Sequence, residues 1–200
     1  MKNERKRGEE LEAAILEAAY EIIQTTGYEG MTFQHVAKRA ETSRTVIYRR
    51  YETPVELLHA LVRYKTIQAL GGRMNDLFQD QGSLRANLLA LVRLYQRFFE
   101  AVGPKMLSAM LTELSRNNEQ FQTWASQARS SNIEVMKKIE EYAKRNGEIS
   151  HEFTTMQMNL PFNLLRFENI ISDEKVTPAY LTSLVDEVLM PVLSRGGYEL

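Results

Sequence analysis

From Glu9 to Thr26 the apolar residues Leu11, Ile15, Ala18, Ala19, Ile22 and Ile23 recur every three or four positions. That spacing predicts a helix with one buried face, and Gly27 stops it. Thr32 can accept a hydrogen bond from an orphan amide, so it predicts the N-cap of a short second helix carrying Phe33, Val36 and Ala37 to near Ala40. Ser43 caps a third, from Arg44 to Tyr51. Thr53-Pro54-Val55-Glu56 joins a cap, a proline at the first helical position and a glutamate three residues past the cap. A fourth helix therefore starts there, with Leu57, Leu58, Leu61, Val62 and Tyr64 on its apolar face, and ends or loosens at Gly71-Gly72.

Beyond the loop Asp80-Gln81-Gly82-Ser83, a fifth helix runs from Leu84 to Val102, and Gly103-Pro104 separates it from a sixth that ends near Arg116. A long seventh spans about Glu119 to Asn146, stopped by Gly147. An eighth (Glu152 to Ile171) and a ninth (Thr177 to Leu193) finish the chain, joined by Ser172-Asp173-Glu174-Lys175. Pro161 inside the eighth should kink it. The pattern predicts an all-α protein of nine helices, with no strand and no repeat length of a solenoid.

Composition narrows the chemistry. With 25 basic and 26 acidic residues the net charge is −1, which argues against a polycation that coats nucleic acid or acidic lipid. Cysteine is absent, which removes disulfides, thiol nucleophiles and cysteine-type zinc sites. The charged N-terminus has no apolar core of a secretory signal, and no run of about 18 apolar residues could span a membrane. A cytoplasmic protein is expected. His35, His59 and His151 are far apart and form no metal-spaced pair. No nucleophile elbow, phosphate loop or dinucleotide fingerprint is present, so no catalytic residue, metal or cofactor is expected.

Position along the chain reverses the impression of neutrality. Residues 32–51, TFQHVAKRAETSRTVIYRRY, hold five basic residues (Lys38, Arg39, Arg44, Arg49, Arg50) against Glu41, a net of +4. Lys2, Arg5, Lys6 and Arg7 add charge ahead of the first helix, as a mobile tail rather than an ordered minor-groove arm. Two short capped helices crossing steeply, with the small Ala37 at the contact, make a helix-turn-helix whose second helix enters the DNA major groove.

Over residues 11–62 the chain resembles the TetR (tetracycline-repressor-like) family of bacterial transcription regulators. The resemblance rests on Ile15-Leu16-Glu17-Ala18-Ala19, Gly27-Tyr28-Glu29-Gly30-Met31-Thr32, Val36-Ala37, Ser43-Arg44-Thr45-Val46-Ile47-Tyr48-Arg49-Arg50-Tyr51 and Glu56-Leu57-Leu58. It implies an N-terminal three-helix DNA-binding domain (1–53), a C-terminal ligand-binding and dimerisation domain (54–200), and a homodimer on a palindromic operator of double-stranded DNA. Two positions depart from the family pattern. Glu41 stands where the turn usually has glycine, at a cost of about 1 kcal/mol if left-handed. Pro54 stands where a phosphate-touching lysine is common.

Arg44, Thr45 and Arg49, on the exposed face of the recognition helix, are expected to reach base edges. Thr32, Ser43, Tyr48, Arg50 and Tyr51 are expected to bind phosphate and set register, with Tyr51 equally placed to join the core. Tyr95, Phe98, Phe99, Met106, Met110, Trp124, Met136 and Phe162 are candidates to line a pliable effector cavity, although such residues at helical spacing also build plain core. Asn163 and Arg166 lie just beyond Pro161; Arg166 could anchor an anionic ligand, pair with Glu168 or lie in a dimer interface. Met156, Leu160, Leu164 and Phe167, with Leu181, Leu184, Val185, Val188, Leu189 and Val192, form stripes wide enough to need a second partner. The resemblance assigns them to a four-helix bundle between two subunits; burial within one subunit is the alternative. The expected function is thus a regulator released from DNA by a small molecule. The competing expectation is a helical homodimeric interaction protein without sequence-specific DNA binding.

Overall fold

The computed structural model describes residues 8–72, 74–172 and 175–195. The basic residues Lys2 to Arg7, and Asp173 and Glu174 of the last connector, lie outside the described residues. The order is α1 (Glu9–Thr26), a 3₁₀ turn (Tyr28–Gly30), α2 (Phe33–Arg39), α3 (Arg44–Tyr48), α4 (Pro54–Leu70), α5 (Met74–Leu77), α6 (Leu84–Ser115), α7 (Glu119–Arg145), α8 (Thr155–Ile170), α9 (Pro178–Ser183), a π-helical stretch (Leu184–Leu189) and α10 (Met190–Leu193). Among the described residues there is no strand.

The expected caps form. The Thr32 hydroxyl oxygen accepts from His35 N at 3.2 Å and that of Ser43 from Val46 N at 3.4 Å. At α4 the Thr53 oxygen accepts from Glu56 N at 3.2 Å. The Glu56 carboxylate reaches past the cap and takes Glu52 N at 2.7 Å. The fifth and sixth predicted helices are one span, α6, interrupted at Gly103 (φ 74, ψ 162), a conformation that suits a residue without Cβ. The eighth starts at Thr155 rather than Glu152, because Thr154 and Gln157 form a capping box. Phe153 is instead buried, its N–H donating to Glu140 Oε2 at 2.8 Å.

The last helix corrects the expected stripe. A strict α pattern groups Leu181, Leu184, Val185, Val188, Leu189 and Val192 on one face. A π turn (i→i+5) inserts an extra residue into the winding. It rotates the remainder of the helix, so Leu181, Leu184, Val185, Leu189 and Leu193 are buried while Val188 and Val192 are each 37% exposed.

The backbone forms two compact units. One comprises the chain through Gln68 together with Val102–Gln122; the other comprises Ala69–Ala101 and the chain from Thr123 onward. The core of the first includes Ile15, Ile23, Val36, Ile47, Leu57, Leu58 and Leu61. That of the second includes Leu88, Val92, Met136, Ile139, Phe162, Leu165 and Val185. Full burial of such a side chain contributes roughly 1.5–3 kcal/mol.

Candidate nucleic-acid interface

In the first unit, α2 and α3 are joined by a turn with Glu41 at φ 55. The non-glycine residue does take the left-handed conformation, and Thr42 N closes the turn on Ala37 O at 3.0 Å. Ala37 is 3% exposed. Within α3, Ile47 is fully buried and Val46 half-buried, which sends Arg44, Thr45, Tyr48 and Arg49 to solvent. These four are neighbours on a single helical face. The Tyr48 ring is fixed from two sides: it meets Phe33 edge-on, centroids 4.9 Å apart, and the Arg44 guanidinium lies 5.9 Å from its centre.

Thr32 and Ser43 are exposed. Each oxygen is occupied as a cap acceptor, and each hydroxyl hydrogen remains able to donate outward. Arg50 is exposed beside them. Arg39 is instead paired with Glu21. His35 Nδ1 lies 2.9 Å from Gly30 O; a carbonyl only accepts, so Nδ1 carries a proton.

Tyr51 corrects the phosphate expectation. α3 ends at Tyr48, and the amides of Arg50 and Tyr51 both close on Ile47 O at 2.9 Å, turning Tyr51 inward. It is 5% exposed, and among the described residues its hydroxyl has no hydrogen-bond partner at normal geometry. Burial, with the Glu12 carboxylate nearby, pushes its pKa up to about 12.

The α2–α3 segment is braced by residues 102–122 of its own unit. Glu113, 3% exposed, accepts from Arg116 Nη1 and Asn118 Nδ2, both at 3.0 Å. Arg116 Nη2 also donates to Glu29 at 2.6 Å, in the turn from which α2 departs. Burial and the adjacent Glu113 carboxylate raise the pKa of Tyr28 in that turn. Lys105 Nζ donates to Gln24 O, and Thr53 Oγ1 to Gln120 Oε1 at 2.9 Å.

In the second unit, a small cavity of about 10 Å³ is lined by Phe78, Leu91, Leu94, Tyr95, Asn132, Val135 and Phe162. Of the expected lining residues, Tyr95 and Phe162 are there, their rings edge to face with centroids 4.7 Å apart. Phe98 and Phe99 extend the same aromatic cluster behind Tyr95 without facing the cavity. Met136 is fully buried core and Trp124 half-buried, and neither lines it. Met106 and Met110 belong to the first unit, because the break at Gly103 precedes them. Asn163 and Arg166 bond to each other at 3.1 Å on the surface. Sequence reasoning missed Asn132, which accepts from the Tyr95 hydroxyl at 2.9 Å and is 5% exposed. Its signal was available: it falls in the helical series Phe121, Ala128, Val135, Ile139, a polar residue on an apolar face.

On α8, Met156 is 82% and Phe167 55% exposed, with Leu160 and Leu164 half-buried; Ile171, just beyond, is 63% exposed. Met156 and Phe167, with Val188 and Val192, are the exposed part of the predicted stripes. Leu181, Leu184, Val185 and Leu189 are core of their own unit. Among the described residues no helix is long and apolar enough to cross a membrane.

The model of bacterial regulatory proteins of the tetR family matches residues 15–61. That of the tetracyclin repressor-like C-terminal domain matches residues 78–188. The chain is 30% identical over 111 residues to the DNA-binding transcriptional repressor TetR of Mycobacteroides abscessus, an alignment covering 56% of each protein. It is 29% identical over 189 residues to an uncharacterized HTH-type transcriptional regulator of Mycobacterium tuberculosis, covering 92% of this chain and 89% of the other. The fold is similar to that of the regulator FadR from Bacillus subtilis in complex with stearoyl-CoA (TM-score 0.64, 19% identity, 92% and 98% coverage). It is likewise similar to the regulator CifR complexed with operator DNA (TM-score 0.65, 16% identity, 93% and 98% coverage).

Proposed function

The chain belongs to the tetR family of bacterial regulatory proteins, and on that premise we propose that it is a cytoplasmic repressor that binds a palindromic operator as a homodimer and releases it when a small molecule occupies the C-terminal part. The observation that carries this is the face of α3. Arg44, Thr45, Tyr48 and Arg49 stand clear of the core on a helix anchored by Ile47, with the Thr32 and Ser43 hydroxyls and Arg50 around them. Arginines there suit bidentate contacts to guanine O6 and N7; the hydroxyls and Arg50 suit phosphate. Functionally, residues 1–53 read DNA and 54–200 sense and dimerise.

A stripe of exposed Met156, Phe167, Val188 and Val192, with half-buried Leu160 and Leu164, supports dimerisation. A two-fold axis would set two recognition helices roughly 34–36 Å apart, one turn of DNA. FadR's complex with stearoyl-CoA and CifR's with operator DNA are the two kinds of partner this reading requires of one fold. Release needs only differential affinity, typically 1–3 kcal/mol of coupling. No catalytic step is assigned to it. Selection of bound sequences from random duplexes tests the proposal. A palindrome is expected, and recovery of no palindrome would overturn it in favour of a dimeric interaction protein.

A further inference from the structure

A second cleft of the same unit lies against this small cavity. Its volume is about 210 Å³, and Leu77, Phe78, Gln79, Gln81, Ala90, Arg93, Leu94 and Arg97 line it. Phe78 and Leu94 line both spaces, so these two side chains are a shared wall. The two sides differ in chemistry. The inner cavity has no charged lining residue; its polar edge is the Tyr95–Asn132 hydrogen bond. Among the described residues, the outer cleft is lined by two arginines and no acid. Arg93 and Arg97 are one turn apart on α6, so their side chains are neighbours. Among the described residues Arg93 has no ion pair, and Arg97 uses Nη2 alone, donating to Ala69 O at 2.9 Å.

We propose that cleft and cavity form one site for an amphipathic anion, with a carboxylate or phosphate head held by Arg93 and Arg97 and an apolar tail passing Phe78 and Leu94 onto Tyr95 and Phe162. This identifies the chemical class of the effector and rests on the reading of the C-terminal part as the sensing domain. Guanidinium groups bind such heads through paired charge-assisted hydrogen bonds. An inner space of about 10 Å³ holds no more than about one water. The tail therefore enters as Phe78 swings aside. Phe78 follows α5 in a non-helical segment and is half-buried. Burial raises the pKa of Tyr95, so its hydroxyl stays neutral beside the tail.

The test is calorimetric titration of the full chain with octanoate, octyl phosphate, octan-1-ol and inorganic phosphate. At least one octyl anion should bind about tenfold or more tightly than both the alcohol and inorganic phosphate, as expected for a charge-assisted head contact joined to tail burial. The double variant Arg93→Ala/Arg97→Ala should bring that anion down to the level of octanol. Both side chains are exposed, and an unchanged melting temperature will verify folding. Octanol binding as tightly as the anions would overturn the proposal, as would inorganic phosphate doing so, retention of affinity by the double variant, or no binding by any octyl probe. Operator release is measured separately on the selected palindrome. Anion binding without release would keep this site and remove its effector role.

Discussion

Phe33 of α2 and Tyr48 of α3 meet edge to face, their planes at 83°. The contact ties the start of α2 to the end of α3 through their rings. It also holds the Tyr48 hydroxyl at the surface, where phosphate would lie. Tyr48→Phe should therefore leave thermal stability unchanged and weaken operator binding similarly for every sequence. Tyr48→Ala should also cost about 0.5–1.5 kcal/mol of stability through loss of the ring pair. Melting and binding isotherms on the same preparations check both.

Arg49 and Arg50 are adjacent but assigned different tasks. Arg49→Ala should relax base preference at one position of the operator, by roughly 1–3 kcal/mol of discrimination. Arg50→Ala should weaken all sequences and lower the salt slope by about one. Binding to a panel of single-base operator variants at several salt concentrations separates them; the same loss from both would refute the assignment.

Phe167 is 55% exposed on the α8 stripe. Phe167→Glu should preserve the fold of the subunit and place a charge in the dimer seam, where burying an unpaired carboxylate is costly. Sedimentation should show monomer at concentrations where the parent is dimeric, with operator affinity falling at least about tenfold, since one recognition helix then binds alone.

Tyr51 makes stability depend on alkaline pH. Its pKa is raised by burial from 10.0 to about 12, so the folded chain favours the protonated phenol. The contribution is fully present below pH 10 and is lost as pH rises through about 12, because only the unfolded chain releases the proton in that window. Tyr51→Phe should flatten the decline in denaturation midpoint over that range. It should cost little at neutral pH, since the buried hydroxyl makes no hydrogen bond at normal geometry to any described residue.

Glu41 holds a left-handed turn at φ 55. Glu41→Gly should raise stability by up to about 1 kcal/mol, the strain relieved exceeding the added freedom of the unfolded chain. Glu41→Val should lower it. Urea denaturation of the three forms measures the order.

Local signals in the chain sufficed for the reader. Thr32, Ser43 and Thr53 cap where their hydroxyls predict, and the three- and four-residue spacing of α1 sorts Ile15, Ala19 and Ile23 into the core. What local signals could not reach was set by winding and by distant partners. Tyr51 turns inward because two amides close on Ile47 O, a choice made by the fourth helix's packing as much as by the third's sequence. The cavity wall joins Phe78 from a loop to Asn132 from α7, and no spacing within one helix links them. Glu113 reads as one more charge on α6, yet it is buried among Arg116, Asn118 and the turn at Tyr28.

The π-helical stretch Leu184–Leu189 acts as a change of reading frame written in geometry. Residues before and after it follow the same three-and-four rule but from different starting phases. Removing one residue there would restore ordinary winding and leave Leu193 inward and Val192 outward, because the wide turn holds the one residue that α winding has no room for. The helix can thus gain or lose one residue here without re-aiming the face beyond it, and relatives that differ by one residue in this helix would keep the same side chains toward their core.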